Sequence, residues 1–153
     1  MLHIQQAKFQ LSDHQHLTVE NLIISPHSFW TVVGNNGSGK TAFSLALQEK
    51  LPLLQGDYEN RFRVIESLSF EKQQRIIEQT FKDRNNDSVS PDDFGKTARE
   101  IILERSNNIA LCDFYATRLK ITALLDRPFI QLSTGESRKI LLCRALVNEP
   151  ELL

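Results

Sequence analysis

Two segments near the start of the chain alternate between apolar and polar residues. HIQQAKFQL and LTVENLII lie within residues 3–25, on either side of the polar turn SDHQ. Alternation with a period of two is typical of strands with one buried face, so this pattern predicts a pair of short antiparallel strands. The next apolar run, FWTVV at residues 29–33, does not alternate and is rich in β-branched and aromatic residues. It predicts a strand that is covered on both faces.

Helix-like segments dominate the rest of the sequence. KTAFSLALQEKL is rich in helix-forming residues and ends before Pro52. RFRVIESLSF predicts another strand, and EKQQRIIEQTFKDR after it predicts a helix. The polar segment at residues 85–95, NNDSVSPDDFG, predicts a loop and is the best hinge candidate in the chain.

Three more helices are predicted downstream of this loop. One begins at Thr97 and continues through AREIILE, and a second covers ALCDFYATRLK. The third begins at Ser133 and runs to about Asn148, because Pro150 cannot continue a helix. The sequence has no internal repeat and is consistent with one unit that has a polar middle.

Composition and charge are those of one soluble globular domain. The 153 residues are 41% hydrophobic and 24% charged, and the formal net charge is -1. This balance gives no indication of a broad basic surface for nucleic acid or acidic lipid. The sequence has no apolar run of the roughly 18 residues that a membrane span needs, and its first residues do not resemble a secretory signal. We therefore expect a cytoplasmic protein.

Neither the two cysteines nor the closely spaced histidines His14 and His16 predict a metal site. Cys112 and Cys143 lie far apart in apolar, helix-like segments, which favours buried thiols. His14 and His16 lie in the polar turn without a third ligand nearby, which favours exposure to solvent.

The segment GNNGSGKT matches the pattern GxxxxGK[ST] at every fixed position. Its glycines allow consecutive N–H groups to turn toward phosphate oxygens, and the loop leads into the positive end of a helix dipole. Lys40 supplies a charge for the outer phosphates, and the Thr41 hydroxyl is placed to ligate Mg²⁺. The pattern therefore predicts a nucleotide-phosphate site. Its residues are Gly34, Asn35, Asn36, Gly37, Ser38, Gly39, Lys40 and Thr41.

A second glycine-containing segment, LSTGESRK, begins at Leu132. Ser133 and Glu136 are spaced as a capping box, in which two helix N–H groups are satisfied reciprocally. A capping box does not require Gly135, whereas a helix N-terminus with a serine hydroxyl and a glycine for close approach is also suited to an anion. The capping box alone therefore does not account for the segment.

The two segments in this order resemble the ATP-binding cassette (ABC) ATPases. Ser133 follows Lys40 by 93 residues, and LSTGESRKILLCRALVNEPELL is similar to the family signature LSGGQ with its basic helix and the pattern RALxxxPxLL. The resemblance extends over essentially the whole chain. It implies an α/β P-loop fold with an antiparallel β subdomain, a RecA-like parallel core and a helical subdomain.

The resemblance also implies an order of segments along the chain. Residues 1–70 correspond to the β subdomain and the P-loop core, residues 71–131 to the Q-loop region and the helical subdomain, and residues 132–153 to the signature helix and the start of the Walker B region. The implied cofactors are ATP and Mg²⁺. An adenine-stacking aromatic is implied at Phe9, although an aromatic in an amphipathic strand is as readily a core residue.

The family mechanism uses two cassettes that enclose two ATP molecules head to tail. By this resemblance the signature residues contact the ATP held by the P-loop of a partner cassette, and they are Leu132, Ser133, Thr134, Gly135 and Glu136. A Q-loop ligand for Mg²⁺ is implied at Glu71 or Gln73, and Gln74 is equally near.

Three positions depart from the family pattern. Thr134 stands where the family has glycine, and Glu136 replaces glutamine, which brings a carboxylate near the incoming phosphate and is expected to weaken the interface. Glu71 stands where the Q-loop glutamine is expected. LSTGESRK and the altered Q-loop resemble in particular two-cassette members associated with molybdenum transport and with photorepair.

The sequence ends at PELL, which in the family leads into the Walker B strand. The resemblance therefore implies a partial cassette, without the Walker B aspartate, catalytic glutamate and switch histidine, that binds nucleotide but is inactive alone. In the intact protein it implies ATP hydrolysis coupled to a membrane permease, molybdate-related by the finer resemblance, with the cassette on the cytoplasmic face of the membrane. The alternatives are a soluble ATP-dependent binding or regulatory module and a non-functional remnant. No nucleic-acid partner is indicated.

Overall fold

The computed structural model describes residues 1–86 and 94–153 and divides the chain into two units, Met1–Arg63 and Val64–Leu153. The predicted loop at residues 85–95 falls largely outside the described residues. The division differs from the predicted segments, since the predicted helical region and the signature helix share the second unit. No helix in the described part of the chain is long and apolar enough to cross a membrane.

The first unit contains a three-stranded antiparallel sheet. Its strands are β1 (Leu2–Gln10), β2 (His16–Ile24) and β3 (Leu53–Asn60), in the order β2-β1-β3. The predicted pair of antiparallel strands is confirmed by β1 and β2, in which Leu2 pairs with Ile24 and Gln10 with His16. His14 and His16 are exposed, as predicted. The sequence did not predict β3.

The pairing of β1 with β3 contains a β-bulge, and this bulge requires glycine. The register shifts between Gln5 and Lys8, and Gln6 and Gly56 both have positive φ, 44° and 86°. A Cβ at residue 56 would lie 2.2 Å from the Gln6 carbonyl oxygen. Because no side chain fits at that distance, the central strand β1 accepts its second partner, β3, only with glycine at this position.

The predicted strand at residues 29–33 does not form. Phe29, Trp30 and Val33 are 95%, 53% and 84% exposed, and the segment makes no strand pairing within the described residues. An apolar run of this kind becomes a strand only where neighbours pair with its edges and cover both faces. In the part of the chain that the structure describes, β1, β2 and β3 pair only with one another. The prediction of a covered strand is therefore wrong for this structure.

Helices form where they were predicted. The α-helices are α1 (Lys40–Leu47), α2 (Phe70–Asn86), α3 (Ala98–Leu103), α4 (Ile109–Arg118) and α5 (Thr134–Val147). Two short 3₁₀ turns, Thr122–Leu124 and Phe129–Gln131, lead into α5. Only α1 belongs to the first unit, and the other four helices make up most of the second.

The core of the second unit lies where α5 packs against α3 and α4. It includes Ile101, Phe129 and Ile140, which are each at most 2% exposed. Cys112 and Cys143 are buried in the same core, and burial raises the pKa of the Cys143 thiol to about 12. A thiol with this pKa stays protonated at neutral pH. The prediction of buried cysteines is confirmed.

The predicted strand over RFRVIESLSF is reduced to one parallel bridge. Ile65 pairs with Leu152, and the Glu66 N–H donates to the Leu152 carbonyl at 2.9 Å. The end of the segment belongs to α2, which begins at Phe70. Among the described residues this bridge is the only parallel pairing, so the implied parallel core is represented by a single contact.

Candidate functional site

The glycine-rich loop leads directly into α1. Gly37 and Gly39 have φ values of 80° and 89°, in the left-handed region that favours glycine. The Ser38 N–H donates to the Asn35 carbonyl at 3.2 Å, which closes a turn between them. Gly39 is the N-cap of α1, and its carbonyl accepts the first helical hydrogen bond from Phe43 at 2.8 Å. We call residues 34–41 the P-loop.

The N-terminus of α1 is suited to bind an anion, because its own first turn supplies neither a capping side chain nor a carboxylate. Within residues 1–86, Gly39 gives α1 no side-chain cap, and its first turn has no acidic residue. By contrast, α3 and α5 each begin with a capping box that contains a glutamate. The first N–H groups of a helix carry partial positive charge, so those of α1 are available to phosphate oxygens.

Lys40 joins the two ends of the P-loop. Its ammonium nitrogen donates to the carbonyl oxygens of Gly34 and Asn35, both at 2.7 Å. It lies 3.4 Å from the Ser38 hydroxyl. These contacts hold the Lys40 ammonium group at the mouth of the loop. Phosphate oxygens are stronger partners for an ammonium group than neutral carbonyls are, so the phosphates of a bound nucleotide can replace these carbonyls.

A side chain at residue 34 would displace Ser38. A Cβ at residue 34 would lie 2.6 Å from the Ser38 hydroxyl oxygen. Asn35, Asn36 and Thr41 are exposed. Thr41 lies in the first turn of α1, and because it is exposed its hydroxyl can ligate a cation held by bound phosphate.

The capping box predicted at the start of α5 is present. The Ser133 hydroxyl donates to Glu136 Oε2 at 2.7 Å, and the Ser133 N–H donates to the same oxygen at 2.8 Å. The Glu136 N–H donates in return to the Ser133 hydroxyl oxygen at 3.3 Å. These hydrogen bonds from Ser133 lower the pKa of the Glu136 carboxyl, so the residue is ionised at neutral pH.

Gly135 has no structural requirement in its own chain. It lies in the first turn of α5 without a positive φ, and a Cβ there would meet nothing within 4 Å among the described residues. Ser133 and Thr134 beside it are exposed, and Leu132 is partly buried. Residues 132–136, which we call the signature segment, therefore present a glycine to open space.

Phe9 does not present a face for adenine in this structure. The ring is 2% exposed and packs edge-to-face on Tyr58, with ring centroids 5.9 Å apart and planes at 88°. The inward face of β1 is apolar, so a large ring at this position is stabilised by burial in the core. The implied adenine-stacking role is corrected to a core role. Tyr58 anchors this core to α1 by donating to the Leu47 carbonyl at 3.0 Å.

The two Q-loop candidates lie in different surroundings on α2. Glu71 is exposed in the first turn, where its own N–H and Ser69 hydrogen-bond the carboxylate and lower its pKa. Gln73 is 2% exposed, and its amide nitrogen donates to the Thr134 carbonyl at 3.3 Å. Gln74 is exposed. Thr41 belongs to the first unit and these residues to the second, so a shared Mg²⁺ site stays a prediction.

Comparison with known proteins identifies the family of the chain. The sequence matches the ABC transporter family over residues 17–153, which include both the P-loop and the signature segment. The chain belongs to the ABC transporter family. Membership implies ATP binding by an ABC-type ATP-binding domain.

Among its relatives, the chain is 44% identical to the ABC transporter ATP-binding protein ModF of Escherichia coli K12, over 99% of the chain and 31% of ModF. It is 29% identical to the zinc import ATP-binding protein ZnuC of Cereibacter sphaeroides, over 87% of the chain and 49% of ZnuC. The chain therefore spans about a third of ModF and about half of ZnuC.

A solved structure supports the fold. CbiO1 from Clostridium perfringens, part of the ABC transporter complex cbiONQ, superposes with a TM-score of 0.67 at 22% identity, over 97% of this chain and 62% of that one. The fold is thus the α/β fold of ABC ATPases, as predicted.

Two contacts of the signature segment were not predicted from the sequence. One is the hydrogen bond from Gln73 to the Thr134 carbonyl, and the other is the ion pair between Arg127 and Glu136 at 3.8 Å. The buried Gln73 stands among polar neighbours in EKQQR, which gives no sign that one glutamine faces the interior.

Proposed function

We propose that the P-loop binds the phosphates of Mg-ATP and that the signature segment contacts ATP bound by a second cassette. The observation that supports the first part is the uncapped N-terminus of α1, with Lys40 at its mouth and Thr41 in its first turn. Bound Mg²⁺ would neutralise phosphate charge there. The Lys40 ammonium would exchange carbonyl partners for phosphate oxygens, and the backbone N–H groups would orient them.

The proposal that the signature segment acts on another molecule's nucleotide is supported by Gly135. Its own helix has no use for a glycine at an exposed first-turn position, since alanine would favour the helix. A glycine and an exposed serine at a helix N-terminus allow a phosphate group to approach the backbone closely. A cassette that brings its P-loop to this surface would supply such a group.

The substitution Ser133→Arg in the intact protein tests this division of labour. We expect ATP affinity of the P-loop to remain unchanged, while ATP-driven association of the cassettes falls about tenfold or more, the equivalent of 1.4 kcal/mol. Nucleotide titration and sedimentation with ATP measure the two quantities. Thr97→Arg removes the matching capping box of α3 and controls for the loss of helix stability. A loss of ATP affinity as large as that of Lys40→Ala would indicate one site within a single cassette and contradict the proposal.

For the intact protein we propose ATP hydrolysis coupled to a membrane transport system, with molybdate as the related substrate. The chain spans only part of ModF and ZnuC, and the molybdate proposal rests on the segment LSTGESRK and the altered Q-loop. Deletion of the gene should reduce molybdate uptake and leave zinc uptake unchanged. Unchanged molybdate uptake, with ATP-driven association intact, would favour a soluble regulatory module instead.

A further inference from the structure

Two buried polar atoms lack a hydrogen-bond partner within residues 1–86 and 94–153, and both belong to side chains of one cavity. They are Gln73 Oε1 and Arg144 Nη1. The cavity has a volume of ≈ 20 Å³ and lies between α5 and the start of α2. A buried polar atom without a partner destabilises the fold, and a polar ligand in the cavity that contacted both atoms would remove this cost.

Gln73 and Arg144 each have one other side-chain nitrogen with a hydrogen-bond partner. The Gln73 amide nitrogen donates to the Thr134 carbonyl at 3.3 Å, which leaves its oxygen as an acceptor. Arg144 Nη2 donates to Glu104 Oε2 at 2.6 Å, which leaves Nη1 as a donor. The unsatisfied pair therefore consists of one acceptor and one donor.

The volume and the polarity of the cavity select its ligand. Roughly one water molecule fits a volume of this size, and a buried water needs two or more polar partners. Water can donate to Gln73 Oε1 and accept from Arg144 Nη1 at the same time. A small anion would satisfy Arg144, but it has no proton to donate to Gln73 Oε1. The other charged residues that line the cavity are Glu66, Lys72 and Arg105. Glu66 is itself satisfied by Asn148 at 2.8 Å and Lys72 at 3.3 Å.

We propose that this cavity is a binding site for one structural water molecule, and that Gln73, held by that water and Arg144, is a positioning residue for the signature segment. The water completes a connection that runs from Glu104 through Arg144 to Gln73 and ends at the Thr134 carbonyl. Thr134 is the first residue of α5, so this connection fixes the turn that presents Ser133 and Gly135. The functional part of this inference rests on the proposed role of the signature segment.

A crystal structure of the intact protein, with crystals also soaked in bromide, tests the water site. We expect one ordered water within hydrogen-bond distance of Gln73 Oε1 and Arg144 Nη1, and no anomalous signal from bromide. The variant Gln73→Met has similar volume and no polar group, and it should lose this water. A dry cavity in the wild-type protein, bromide in the cavity, or direct contact between Gln73 and Arg144 would overturn the proposal.

Hydrogen–deuterium exchange tests the positioning role. Gln73→Met should raise the exchange rate of amides in the first turns of α5 about fivefold, the equivalent of one ordinary hydrogen bond. Gln74→Met is the matched control, because Gln74 is the exposed neighbour on the same helix and should have no effect. An equal rise throughout the second unit would indicate a general loss of stability and contradict positioning.

A second variant keeps the test decisive if Gln73→Met does not fold. Gln73→Glu retains an oxygen for the water but cannot donate to the Thr134 carbonyl at neutral pH. We expect it to keep the water and to show the faster exchange in α5, and loss of the water with normal exchange would overturn the proposal.

ATP-driven association of the intact protein separates this inference from the proposed function. Gln73→Met should weaken association. If exchange in α5 rises but neither Gln73→Met nor Ser133→Arg alters association, the role of the signature segment is wrong and the water site stands. If Ser133→Arg alone weakens association, the positioning role of Gln73 is wrong.

Discussion

The Ser133 hydroxyl already has an anionic acceptor within its own helix. It donates to Glu136 Oε2 at 2.7 Å, so a phosphate can accept from Ser133 only by replacing a carboxylate. Arg127 lies 3.8 Å from the other Glu136 oxygen, and this long, exposed ion pair competes only weakly with Ser133 for the carboxylate. The glutamate thus competes with phosphate at the start of α5, which agrees with the expected weakening of the interface.

The pKa of Glu136 measures how strongly Ser133 holds its carboxylate. The side-chain and backbone hydrogen bonds from Ser133 lower it from 4.5, so the capping box stabilises the fold above that pH and loses its contribution as the pH falls through the lowered value. Ser133→Ala should raise the pKa of Glu136 toward 4.5. An NMR titration of the side-chain carboxyl measures this. The pKa of Glu100, lowered by Thr97 in the matching box, should not move, and an unchanged pKa of Glu136 would contradict the account.

Residues whose roles depend on local sequence were predictable, and those that depend on tertiary packing were not. The capping pair Ser133 and Glu136 follows from a spacing of three residues. The burial of Phe9 against Tyr58 depends on β3, which lies more than 40 residues away along the chain. The inward orientation of Gln73 depends on α5 in the same way.

At the level of elements, α1 and α5 have helix N-termini of opposite character. The first turn of α1 lacks an acidic residue and an N-cap side chain, whereas α5 supplies both. An incoming phosphate therefore meets unoccupied N–H groups at α1 and an internal carboxylate at α5. This difference predicts that a single cassette binds nucleotide through α1 and that the signature segment contributes only when a partner is bound.

The substitution Gly135→Ala should separate helix stability from function. Alanine at this open helical position should raise the free energy of unfolding by up to about 1 kcal/mol, because glycine is the weaker helix former. It should also reduce ATP-driven association of the intact protein, because the added methyl group lies where the partner's phosphate approaches. Urea unfolding and sedimentation with ATP measure the two effects.

Gly34→Ala is the matched control for this substitution. Its Cβ would lie 2.6 Å from the Ser38 hydroxyl oxygen, so it should weaken ATP binding by the P-loop itself. Gly135→Ala that leaves association unchanged would show that the glycine has no role toward a partner.

Helices were predicted better than strands for a physical reason. Each helix satisfies its backbone internally and is marked by caps and composition in its own sequence. A strand needs a partner, so the apolar run at residues 29–33 stays unpaired here, and β3 forms because the Gly56 bulge fits it to β1. The sequence of β3 carries little alternation by which it could have been predicted.

At the scale of the whole molecule, the two functional segments lie in separate units of one chain. The P-loop belongs to Met1–Arg63 and the signature segment to Val64–Leu153. The family assignment covers both, and the chain spans 31% of ModF.

ATP-induced stabilisation of the intact protein and its Lys40→Ala variant tests the central claim most directly. With Mg-ATP at about 100 times the Kd, the wild-type protein should gain about 2.7 kcal/mol of apparent stability, seen as a rise in Tm. Lys40→Ala should abolish this rise because it removes the ammonium group that closes the P-loop. Lys50→Ala, just beyond α1, should retain it. A rise in Tm of equal size in the Lys40→Ala protein would contradict nucleotide binding by the P-loop.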